Sequence, residues 1–179
     1  LAHGGDEATA CALLEKIATA SDPSVAGRAI QILKGRYDSA GRQEDVLRVL
    51  DMALKVAPDD AGRAAVHREL ATRLLDAGRE VDAATHYASL VVLEPAEPAH
   101  LGHLRELAEK TSRHDLLADA LARAAETIAQ RNGDETLRLT FLVQAAYVRA
   151  DVLRDAGGAI TLYTLVLASP GAPNAVALP

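Results

Sequence analysis

The sequence has no Trp, a single Phe (Phe141), a single Cys (Cys11) and one Met, and aromatics make up only 3% of its 179 residues. Each scarcity excludes something. One thiol supports neither a disulfide framework nor a Cys-based zinc spacing, so Cys11 is read as a small buried hydrophobe. Basic residues form no cluster, and the net charge is −6 with a pI near 5.5. The counterion-releasing patch that binds nucleic acid is therefore missing. The cations, mostly Arg, stand singly between acids, as on a solvated helix surface. The longest apolar run, residues 141–148, is too short to cross a bilayer and is interrupted by Gln144. Runs of β-branched and aromatic residues, which strands favour, are also scarce.

What is abundant is Ala and Leu, both strong helix formers, with small Ala knobs that let helices approach closely. The expected class is all-α. The chain opens at Leu1 with no charged-then-apolar leader, and reads as a piece of a longer protein. The excess of Arg over Lys suits a GC-rich bacterial genome, and a cytoplasmic location is favoured.

Internal periodicity organises the chain. Residues 37–42 (YDSAGR), 74–79 (LLDAGR) and 108–113 (AEKTSR) each end one apolar-periodic stretch and begin the next. The small residue falls at Gly41, Gly78 and Ser112, at spacings of 37 and 34, and a closing Pro recurs at Pro58 and Pro95, again 37 apart. Pro170 follows the last stretch. Within stretches the period is helical: Ala83, Ala84, Tyr87, Leu90 and Val91 share one face. Val46, Leu47, Leu50, Ala53 and Leu54 repeat it, as do Leu117, Ala120, Leu121, Ala124 and Ile128. Gly41 and Gly78 suit a left-handed helix end, the prolines forbid continuation, and Asp59 or Asp60 can cap the next helix. About nine helices are expected: 6–20, then pairs at 24–39 and 43–57, 61–77 and 80–93, 97–111 and 114–130, and 134–155 and 158–168. The turn of the last pair is assigned to Gly157-Gly158, and residues 171–179 read as the start of one more helix.

These landmarks resemble the tetratricopeptide repeat. Leu70, Ala71, Leu74, Gly78, Ala83, Tyr87, Leu90 and Pro95 fit that family's positions best. Leu33, Tyr37, Gly41, Leu50, Ala53 and Pro58 fit them in the preceding unit, where Lys34 and Val46 replace small residues. A third unit departs at Arg105 and Ser112, and a fourth keeps Ala159, Tyr163 and Pro170. The resemblance implies a single domain, a right-handed α-solenoid of antiparallel helix pairs with units at about 24–58, 61–95, 97–130 and 134–170. One pair alone cannot bury its apolar face; stacked neighbours can.

Chemistry is hard to find. His100 and His103 are three apart on one helix, a spacing that could share a metal, but no zincin Glu accompanies them and they read as surface histidines. No nucleophile elbow or phosphate-binding Gly-Lys-Ser loop occurs. The paired acids Glu44-Asp45 and Asp59-Asp60 sit at helix N-termini, where the dipole favours them. No catalytic residue, metal or cofactor is expected.

The resemblance further implies that the first helix of each pair lines a concave groove holding a peptide or helix of a partner protein. By position, that face is Arg28, Gln31 and Asp38, then Arg68, Thr72 and Asp76, then His103 and Glu106, and finally Gln144 and Tyr147. Members that clamp a C-terminal carboxylate use Lys and Asn there; here Gln31, Gly35, Arg68 and Thr72 stand in those places. The expected function is a non-catalytic interaction scaffold. The alternatives are a structural spacer or self-assembling array and, more remotely, a regulatory segment of an enzyme whose catalytic domain lies elsewhere.

Overall fold

The computed structural model describes residues 3–20 and 22–169, with nine α-helices and no strand among them. The expected helix starting near residue 171 lies outside the described residues. The chain divides into two compact units, Leu1–Arg73 and Leu74–Pro179, and the boundary falls inside α4.

The first unit contains α1 (His3–Ala20), α2 (Pro23–Ser39), α3 (Gln43–Val56) and most of α4 (Asp60–Asp76). Pro23 opens α2 behind Asp22, whose carboxylate accepts the Ser24 amide at 2.9 Å. Gly41, at φ 68°, stops α2, and the short turn sends α3 back antiparallel against it. Ala57 is extended before Pro58, and the Asp59 carboxylate takes the Gly62 amide at 2.7 Å to start α4. Packed between α1 and α3, α2 buries Ala26, Ala29, Ile30, Leu33 and Tyr37. Cys11 is buried in α1, as expected of a small hydrophobe. At the edge of this core the Tyr37 hydroxyl donates to Glu15 at 2.8 Å, and Arg48 joins the same carboxylate at 2.7 Å. The Arg48 guanidinium, then the Tyr37 hydroxyl, hold Glu15 below the usual carboxylate range.

The second unit begins with the end of α4, turning at Gly78 (φ 70°) into α5 (Glu80–Leu93). Next come α6 (Pro98–Thr111), α7 (His114–Gln130), α8 (Glu135–Tyr147) and α9 (Ala156–Leu167). Consecutive helices pack on one another, and α5 also packs on α7, as in a helical repeat solenoid. Ser112, at φ 57°, takes the left-handed position of the two glycines. All five face residues named in α5, and all five in α7, are buried.

The last pair departs from expectation. α8 does not run to residue 155; it passes at Tyr147 into a π-helical segment, Val148–Val152. The left-handed turn residue is Arg154 (φ 58°), not Gly157-Gly158. Those glycines lie in the first turn of α9, where the Gly158 amide donates to the capping Asp155 at 2.9 Å. Arg149, in the π segment, grips Asp155 at 2.8 Å and Asp119 of α7 at 2.5 Å. A Cβ on Gly158 would come within 2.9 Å of Arg149 Cδ, so glycine here answers crowding and not a turn.

Candidate functional site

In the first unit, α2 and α4 are tied directly. Lys34 Nζ meets Glu69 at 2.8 Å, and Arg73 meets both Asp38 and Glu69 at 2.9 Å. Lys34–Glu69 and Asp38–Arg73 each span 35 residues, one repeat, so equivalent positions of successive first helices face each other. All four side chains are partly exposed, so each pair contributes roughly 0–1 kcal/mol. Their larger effect is to fix register. Asp38 is thus held in a structural ion pair. Arg28 and Gln31 are exposed and line an open depression of about 830 Å³, floored by Ile32, Val56 and Pro58. Arg68 and Thr72 are exposed on α4, where the Thr72 hydroxyl donates to the Arg68 carbonyl at 3.0 Å.

In the second unit Asp76 is exposed at the end of α4, and Glu106 on α6. The exposed His103 ring lies 4.8 Å from the ring of buried Tyr87. Gln144, half-buried on α8, accepts from Arg105 of α6 at 2.7 Å. Tyr147, at the end of α8, is 47% exposed. Arg105 stands where Ala71 is buried in α4, yet is itself exposed. That substitution trades a small packing residue for a polar reach to the next first helix.

The reading of both histidines as surface groups needs correction at His100. It is 6% exposed, and its Nε2 lies 2.8 Å from Glu94 Oε2. Pro98 and the capping Glu97 set the start of α6, so the third helical residue turns inward. His100 and His103 therefore occupy different surroundings. Among the described residues no three His, Cys, Asp or Glu side chains are grouped to hold a metal, and no helix is long and apolar enough to cross a membrane.

Sequence reasoning missed Lys34, Glu69, Arg73 and Arg105. A signal existed for the first three: opposite charges one repeat apart on first helices. It also missed Gly27 and Gly102, which like Gly35 sit inside α2 and α6 where an added Cβ would meet nothing within 4 Å. Neither protein-family models nor curated proteins give a match to the sequence.

Proposed function

We propose that this chain is a non-catalytic interaction module of tetratricopeptide type that holds a peptide or helix of another protein on its first helices. The observation carrying this reading is the treatment of those helices within each unit. α2 is bridged to α4, and α6 to α8, by side-chain pairs that fix the helices side by side. Outside those bridges they present Arg28, Gln31, Arg68, Thr72, Glu106 and Tyr147 to solvent. Gly27 and Gly35 interrupt α2 and Gly102 interrupts α6 with no packing need, whereas α3, α5 and α7 contain no glycine and those of α9 lie in its first turn. Mid-helix glycine costs about 0.5–1 kcal/mol relative to Ala, so a surface that keeps it is open for another reason. Selecting a random dodecapeptide library on the full chain tests the reading. An enriched peptide should weaken with Arg68→Glu if the first unit holds it, or with Glu106→Lys if the second does, and should ignore Arg123→Glu on α7. The opposite pattern, or no enrichment, contradicts it.

A second reading, self-association through α9, has one observation in its favour. α9 carries no charged side chain, and leaves Ile160, Leu165 and Leu167 at least half exposed. Light scattering across concentration separates the two readings, because a strict monomer removes the second.

A further inference from the structure

The outer face of α2 differs from its surroundings in charge and in shape. Val25, Arg28, Ile32 and Arg36 follow one another at steps of three or four residues, so they share one stripe. Val25 is 38% and Ile32 49% exposed. Arg28 and Arg36 have no ion-pair partner among the described residues, whereas Arg42, Arg48 and Arg73 all do. In a chain of net charge −6, this stripe holds two unpaired guanidiniums, two aliphatic side chains and no acid. Asp22 lines the same depression and, accepting from the Ser24 amide and hydroxyl at 2.9 and 2.7 Å as the cap of α2, keeps its negative charge, so the face from Asp22 to Arg36 carries two guanidiniums against one carboxylate. Gly27, Gln31 and Gly35, at four-residue steps, run beside the stripe. An added Cβ at either glycine would meet nothing, so the surface is low there without the core demanding it. The depression of about 830 Å³ opens over the same helix, with Ile32, Val56 and Pro58 as its apolar floor.

We infer that this face docks an acidic segment of a partner protein, an Asp or Glu meeting Arg28 or Arg36 while a neighbouring aliphatic side chain enters the depression. The inference rests on the interaction reading above and names the chemistry of what is held. Guanidinium forks suit carboxylates, and unpaired ones are free to form charge-assisted bonds without breaking existing pairs. An apolar floor excludes a purely electrostatic ligand such as a nucleic-acid backbone, which rewards many cations and no hydrocarbon. The bare backbone at Gly27 lets an incoming main chain approach closely.

The test is the composition and the footprint of the dodecapeptides selected on the full chain. Enriched sequences should place Asp or Glu beside Leu, Ile or Val. Arg28→Glu should weaken a labelled representative by about tenfold or more in fluorescence anisotropy, the size of one charged hydrogen bond. Gly27→Ala separates docking from folding by sign. It should raise the melting temperature by about 2–4 °C while still weakening the peptide. A basic or uncharged consensus overturns the inference. So does binding that survives Arg28→Glu but falls with Glu106→Lys, although the interaction module itself then stands. A dimer dissolved by Arg28→Glu would make a second copy the occupant, and would overturn it as well.

Discussion

In α5 the residues one and eight positions after Ala83 are Ala84 and Val91, 0% and 1% exposed; after Ala159 in α9 the same places hold Ile160 and Leu167, 65% and 68% exposed. The two helices share the small residue, the Tyr four positions on and the burial of Leu90 and Val166. Their neighbours differ. α5 packs against both α6 and α7, whereas the packing of α9 among the described residues is with α8 and the π segment. The motif therefore dictates the arc of a helix that is apolar, and the helices packed on it dictate how much of that arc leaves water.

The largest effect should come from placing a charge on each flank. Val91→Asp buries an unpaired carboxylate and should cost about 4 kcal/mol or more in urea unfolding. Leu167→Asp should cost less than about 0.5 kcal/mol, because that flank is already wet. Equal losses would break the comparison by showing the α9 flank to be covered. Next is Ala83→Leu, which overpacks a fully buried position and should cost about 1–3 kcal/mol. An unchanged melting temperature would count against the repeat register.

At their N-termini the helices differ in another way. α5 has no side-chain cap, while α9 is capped by Asp155. Gly158→Ala would push the added methyl into Arg149 and Asp155 and should cost about 1 kcal/mol through the displaced cap. Stabilisation would show the cap to be dispensable. The smallest effect is on acid sensitivity. The Gly158 amide, then the Arg149 guanidinium, hold Asp155 below its ordinary 3.8. A carboxylate lowered by folding contributes fully above its unfolded value, and that contribution fades as pH falls through the folded one. The melting temperature of wild type should thus drop between about pH 5 and pH 3 more than that of Asp155→Asn. Parallel curves would mean that the cap does not titrate with folding.

Much of this architecture was readable beforehand because its punctuation is written in backbone chemistry. Gly41 and Gly78 adopt the positive φ that glycine permits, and Pro58 and Pro95 stop α3 and α5. The 3.6-residue period then gives the buried faces of α5 and α7 almost residue by residue. Where punctuation relies on residues that carry no such constraint, the reading fails. Arg154 takes a left-handed turn that no composition rule assigns to Arg, so Gly157-Gly158 drew the turn three residues late. The π segment shifts the helical phase at the end of α8, which a fixed period cannot anticipate. His100 reads as a surface residue until Glu94, six residues away, is folded beside it. Of the ten candidate groove residues, Asp38 and Gln144 are engaged by Arg73 and Arg105, partners set by tertiary packing and not by local sequence.

The central claim is that a partner is held on first helices, and backbone amide NMR of the full chain titrated with a selected dodecapeptide tests it most directly. The account predicts shifts concentrated in α2 and the neighbouring face of α4, strongest around Arg28 and Ile32. Shifts confined to α3, α5, α7 or α9 would contradict it.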